Sequence, residues 1–129
     1  MRDVATTVAF RFLNRADVER LLPPVAEVLD AVEAGLAAHG RGRVVLPPKS
    51  HIHLDDRFNG HFNVLPGYVE PIGTAGVKVV GDFVDNWRRG LPSEVALLTL
   101  YDPATGGSRR STSARFRNRK ATVVATSRI

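Results

Sequence analysis

Lys78 stands in a run that otherwise reads as buried strand, with Val77 before it and Val79 and Val80 after it. Burying an ammonium without a partner is costly or drives it neutral, so a lysine at such a place either faces an anion or snorkels out from a sheet edge. Asp82 is the nearest acid in sequence; a ligand carboxylate is the other candidate. His51, His53 and His61 form a second set. Alternate strand positions share a face, so H-x-H puts two imidazoles side by side and a third can join them across a hairpin, a pattern that suits zinc, iron or copper. A cupin-type site would also need a glutamate soon after His53, where Asp55, Asp56 and Arg57 stand. The expectation is therefore three histidines on a half-exposed sheet face and no metal. Trp87, Arg88 and Arg89 read as a solvated loop rather than a phosphate site. Neither G-x-G-x-x-G nor G-x-x-x-x-G-K-[ST] occurs, so the chain carries no dinucleotide fingerprint of its own.

The elements that must position these residues follow from periodicity. Val8 to Leu13 alternates and opens as a strand. Asn14 then caps a helix to Leu22, with Asp17 at its third position and Leu13 and Val18 as a hydrophobic staple, and Pro23-Pro24 stops it. Val25, Val28, Leu29, Val32 and Leu36 fall at helical spacing, predicting a second helix from Val25 to His39 that ends at Gly40. Val44 to Leu46 is a short strand, and Pro47-Pro48 forces an extended bend. Ser50 to Asp56 alternates, Arg57 to Gly60 is a turn, and His61 to Val69 returns. A loop from Asp85 to Pro92 separates the Lys78 strand from a last one, Ser93 to Tyr101, whose two faces are both partly apolar and so both need covering.

At 129 residues and 43% hydrophobic, the chain makes one domain at most, large enough for a core. It has no cysteine, hence no disulfide or thiolate metal site. With no long apolar run and no signal-peptide pattern, a cytoplasmic protein without membrane contact is expected. The net charge of +5 is unevenly spread. Residues 108–129 hold seven basic side chains and no acid, whereas the first 107 hold 11 basic and 13 acidic ones. Nucleic acid is therefore not an expected partner of the body of the chain, and a basic arm that binds it is the alternative for the tail.

The blocks LNRADVERLLPPVAEVLDAVEAGL, VVLPPKS, FNVLPGYV and GVKVVGDFVDNWRRGLPSEVALLTLYDPATG, in this order over about residues 11 to 106, resemble the N-terminal half of the ornithine cyclodeaminase/mu-crystallin family. The resemblance implies an α+β fold, a mixed and largely antiparallel sheet with two N-terminal helices packed on it. It implies a lobe that binds substrate and pairs into a homodimer, without the family's Rossmann lobe for NAD or NADP. Substrates would be amino acids or cyclic imino acids, handled by hydride transfer at the α carbon in the complete enzyme.

Residue by residue, Lys78 matches the lysine of the family's GVK-like strand and Lys49 the basic residue of its PPR-like bend; both would hold the substrate carboxylate. Lysine at 49 lacks the bidentate fork of the usual arginine. Asn63 matches a glutamate near the reacting amine; being neutral, it can orient but not act as a base, which points from strict ornithine cyclisation toward a related dehydrogenase or reductase. Ser93 matches a position close to the nicotinamide. No catalytic residue is assigned, and the general base would come from the other lobe.

The family's third carboxylate ligand, an arginine in an R-T segment, has no match after Gly106. Residues 1–107 are thus expected to form the lobe, and 108–129 a basic, low-complexity tail, out of frame or disordered, with no strand of its own. The chain alone is expected to be inactive and to bind no cofactor. A non-catalytic ligand-binding or dimerisation module, as in mu-crystallin, is the alternative.

Overall fold

A computed structural model describes residues 10–107 and 121–127. Strand β1 is Phe10–Leu13, followed by helices α1 (Arg15–Leu21) and α2 (Val25–Gly40). Six strands follow: β2 (Val44–Val45), β3 (Ser50–His53), β4 (Gly60–Val69), β5 (Thr74–Phe83), β6 (Glu94–Tyr101) and β7 (Ala121–Ser127). They form one sheet in the order β1-β7-β6-β5-β4-β2, with β3 beside β2 along the outer edge of β4. Among the described residues only the β1–β7 pair is parallel. The α+β architecture with a mixed, largely antiparallel sheet is as expected.

Local chemistry fixes the early elements. Asn14 Oδ1 accepts from the Asp17 backbone N–H at 3.0 Å while Asp17 Oδ2 accepts from the Asn14 N–H at 3.2 Å, a reciprocal capping box. Arg15 and Glu19, at i and i+4, pair at 2.6 Å on the exposed side of α1. Pro23 and Pro24 end that helix, and Pro24 precedes α2 at φ −52°, the geometry that lets a proline open a helix. Helix α1 meets β1 and β7, while α2 meets β2 at the opposite edge. Sixteen residues rise about 24 Å, close to the width of six strands at about 4.8 Å spacing, so α2 carries the chain from one sheet edge to the other.

The two long strands are joined by a 3-10 turn, Glu70–Ile72, which closes with Gly73 at φ +54°, a left-handed position that favours glycine. The predicted turn from Arg57 to Gly60 is a 3-10 turn at Asp56–Phe58 closed by Asn59 at φ +44°. Asp55 Oδ1 accepts from the Arg57 N–H at 3.2 Å to start it, a local side-chain bond that alternation does not reveal. Strand β3 is therefore shorter than predicted, ending at His53. One extra residue on the β2–β3 side of β4, around Pro47-Pro48, shifts the register by one between the two short strands, as a bulge does.

Two expectations need correction. Ala121–Ser127 pair with β6 and β1 inside the sheet, so these residues of the basic stretch are a strand, held by a partner more than 100 positions earlier. The rest of that stretch, 108–120 and 128–129, lies outside the described residues, as do Val8 and Ala9 of the opening strand. The core is also smaller than the composition suggests. Among the described residues only Ala38 and Val80 are buried apolar side chains, and the α2 stripe is exposed, from 39% at Val28 to 75% at Val25. Among the described residues the sheet leaves much of its apolar surface exposed, as a single layer does.

Candidate functional site

Strand alternation and register sort the side chains into two faces. Along β4, His61, Asn63 and Leu65 share one face; opposite them on β5 stand Asp82, Val80 and Lys78, and on β3 His53 and His51 face His61 and Asn63. The other face carries Phe62, Val64, Val77, Val79, Phe83, Val95 and Leu97.

Lys78 lies on the polar face of a central strand, between Leu65 of β4 and Leu98 of β6. It is neither buried nor at a sheet edge; its side chain is exposed. Asp82 is on the same face but four positions along, about 13 Å away at ~3.3 Å per residue, and no ion pair to Lys78 is formed among the described residues. Lys49 directly precedes β3; continuing that register places it opposite Leu65, whose other neighbour is Lys78. Asn63 is one diagonal step from Lys78, a Cβ separation of about 7–8 Å. Lys49, Lys78 and Asn63 thus gather on one face of neighbouring strands. Ser93 does not join them. It sits just before β6, where its carbonyl accepts from the Phe83 N–H at 2.8 Å, five positions from the Lys78 partner Leu98.

The three histidines do cluster. His51 and His53 stack with ring centroids 5.7 Å apart, and His51 and His61 are 5.9 Å apart. Among the described residues, no group of three or more histidine, cysteine, aspartate or glutamate side chains is arranged to hold a metal ion. A shallow pocket of about 280 Å³ at this end is lined by His53, His61, Asp55, Asp56 and Asp82 among others. Sequence reading missed the contact between Asn63 Nδ2 and His61 Nε2, at 3.2 Å. The signal was there, since positions two apart on a strand share a face. Asn63 itself is half-buried, and its Oδ1 is buried without a partner.

On the apolar face the Phe62 and Phe83 rings meet edge to face at 5.4 Å over Gly81, where a Cβ would come within 3.0 Å of Phe62. With Val79, Val95 and Leu97 they line a groove of about 620 Å³. Near the β2 edge, Arg43 grips Glu70 through two nitrogens, at 3.0 and 3.4 Å. That hydrogen bonding, with the attraction of the two charges, holds the Glu70 carboxyl below its ordinary value and raises Arg43. Trp87 is exposed, with Arg88 over its ring and Arg88 paired to Asp85 at 3.3 Å, a solvated loop arrangement.

Several known proteins share this lobe. The chain is 38% identical over 96 residues to the nodulation efficiency protein NfeD of Rhizobium meliloti, covering 74% of this chain and 29% of that protein. It is 31% identical over 94 residues to the alanine dehydrogenase of Archaeoglobus fulgidus, covering 73% and 27%. The Δ1-pyrroline-2-carboxylate reductase of Thermococcus litoralis, solved with NADH and L-proline, superposes with TM-score 0.71 at 28% identity, over 88% of this chain and 31% of that one. An archaeal alanine dehydrogenase dimer with bound NAD gives 0.70 at 26% identity, over 90% and 31%. The chain therefore spans less than a third of the length of these relatives. The ornithine cyclodeaminase/mu-crystallin pattern matches residues 9–122, nearly the whole chain, and with those relatives it places this protein in the ornithine cyclodeaminase/mu-crystallin family.

Proposed function

We propose that this chain is the substrate-binding and dimer-forming lobe of an NAD-dependent enzyme that acts at the α carbon of an amino acid or cyclic imino acid. The observation that carries this reading is the placement of Lys78 on the polar face, in one row with Leu65 and the extension of β3 that bears Lys49, and one diagonal step from Asn63. Two lysines in one row across adjacent strands beside a neutral amide, with no acid in that row, favour a carboxylate as their partner. Lys78 and Lys49 bind that carboxylate, and Asn63 orients the group on the neighbouring carbon. The lysine at 49 and the amide at 63 favour a dehydrogenase or imine reductase over ornithine cyclisation.

Among the described residues no Gly-rich strand-to-helix turn presents N–H groups to a pyrophosphate, so these residues do not by themselves fit NAD. A separate lobe holds the dinucleotide in this reading, and Ser93 is the residue offered here to the nicotinamide side.

The apolar groove takes a second copy of the chain, making a homodimer through the sheet. The exposed Val95 and Leu97 and the Phe62–Phe83 pair support this, because a monomer would leave them wet. Titration of the 129-residue chain with L-alanine and L-proline, followed by amide chemical shifts, tests the carboxylate site. Shifts centred on residues 49, 63 and 78 that vanish in Lys78→Met support it. Shifts elsewhere, or none at about 50 mM ligand, well beyond the millimolar range of weak sites, overturn it.

A further inference from the structure

The apolar groove and the apolar stripe of α2 are both left wet, and they do not cover each other. Every residue that lines the groove belongs to β4, β5, β6 or the 3-10 turn Val84–Arg89, and none comes from α2. Val25, Val28, Leu29, Val32 and Leu36 of α2 are exposed. They recur every three or four residues along one side of the helix, the spacing by which an amphipathic helix lies in an apolar groove. Charge agrees with that fit. Arg89, at the rim of the groove, forms no ion pair among the described residues, whereas Arg88 beside it is paired to Asp85. Glu33 follows Leu29 by one helical turn and precedes Leu36 by another, so it borders the stripe. It too has no ion pair among the described residues. We propose that the groove of each copy receives α2 of a second copy, with Val32 near the middle of the contact and Glu33 against Arg89 at its rim. This rests on the homodimer proposed above and names the part of the second copy that fills the groove.

Dimensions and symmetry carry the same conclusion. The three strands that floor the groove span about 10 Å at a spacing of ~4.8 Å, while the 16 residues of α2 rise about 24 Å. The helix therefore crosses the groove completely, and its ends stay outside, free to run on into α1 and β2. A two-fold axis makes the contact reciprocal: each copy gives one helix and takes one, so the assembly closes at two chains. Stacking the two sheets directly would cover the groove as well, but it would leave the whole α2 stripe in water. Docking α2 covers both apolar surfaces with one contact. The acids fit only this arrangement, because α2 carries Glu27, Asp30 and Glu33 and no lysine or arginine, so it brings negative charge to the side of the groove where Arg88 and Arg89 stand.

The chain has no cysteine, so an introduced thiol reports one position. Val32→Cys and Leu97→Cys are made in separate 129-residue chains; both positions are exposed, so neither change removes core. A short bis-maleimide is added to each chain alone and to their mixture, and covalent dimers are counted on a denaturing gel. The mixture should cross-link well and either chain alone poorly. Efficient linkage of the Leu97→Cys chain to itself would show sheet on sheet and overturn this inference. So would a chain carrying both substitutions that links internally and keeps the mass of a monomer, because α2 would then fill its own groove. The ion pair is tested by sedimentation velocity. Arg89→Glu and Glu33→Arg should each weaken the dimer about fivefold, the upper range for an exposed pair, and together they should restore it. Failure of the pair to restore the dimer would overturn the Glu33 to Arg89 contact. A dimer by sedimentation whose mixture gives no cross-link would overturn this inference and leave the homodimer standing. A chain that stays monomeric at high concentration would overturn both.

Discussion

The two faces of β4, β5 and β6 are made by alternate residues of the same strands, yet they differ in kind. One presents Asn63 and Lys78, with His51 and His61 close by; the other presents Phe62, Val79, Phe83, Val95 and Leu97. Lys78 on one face and Val95 and Leu97 on the other are exposed, but exposure has opposite consequences. An exposed ammonium keeps its hydration until a carboxylate replaces it, whereas exposed apolar surface costs about 25 cal/mol for each Å² left wet. The polar face is stable as it stands, and the ligand proposed there would only replace water. The apolar face is stable only when covered, which is why a second copy is proposed there.

The sharpest way to break this contrast is to charge the apolar face. Val95→Asp with Leu97→Asp should abolish self-association, weakening it at least a hundredfold, since each buried carboxylate would cost about 2 kcal/mol or more. Sedimentation velocity reads this directly, and a wild-type chain that is already monomeric at high concentration would refute the dimer. On the polar face the expected effect is smaller and falls on binding alone. Lys78→Met should lower amino-acid affinity about ten- to a hundredfold, the loss of one charge-assisted bond of ~1.5–3 kcal/mol. Because Lys78 is exposed, its denaturation midpoint should move by less than the equivalent of about 0.5 kcal/mol.

Away from both faces, Asn14→Ala should cost about 1 kcal/mol in urea unfolding through loss of the capping box. The smallest effect belongs to Glu70. Its carboxyl lies below the ordinary value because Arg43 favours the charged form. Its contribution is therefore present above the unfolded-state carboxylate value and disappears as pH falls through the lower folded value. A Glu70→Gln chain should show slightly less stability than wild type at neutral pH and no difference in strong acid. A difference that grows toward acid would reverse the sign and refute the clamp. Both partners are exposed, so the effect stays small.

Much of this was legible in the chain. Asn14 with Asp17, the Pro23-Pro24 stop, helix α2 and the alternation of β4 to β6 are local patterns, set by neighbours within a few residues, and all form where the spacing placed them, although the α2 stripe is left exposed. The short 3-10 turn at Asp56–Phe58 was less legible because one side-chain bond from Asp55 sets it. Strand β7 was misread because the sequence around it is poor in periodicity and its partners, β1 and β6, lie far away along the chain. At the site, Lys78, Lys49 and Asn63 were nominated by motif, but the nearest acid in sequence proved too far along the strand to pair with Lys78.

What the sequence determined by itself is the set of elements and the period-two order within each strand, because propensity, caps and turn chemistry act over a few residues. What only the tertiary structure decided is which strands lie side by side and in what register. That choice brings His61 behind Asn63, puts Lys78 on a central strand instead of an edge, and slots Ala121–Ser127 between β1 and β6. Register is a long-range choice, fixed by which pairing hydrogen-bonds the most backbone and gathers the apolar positions on one face, and a single-residue slip would have exchanged the two faces.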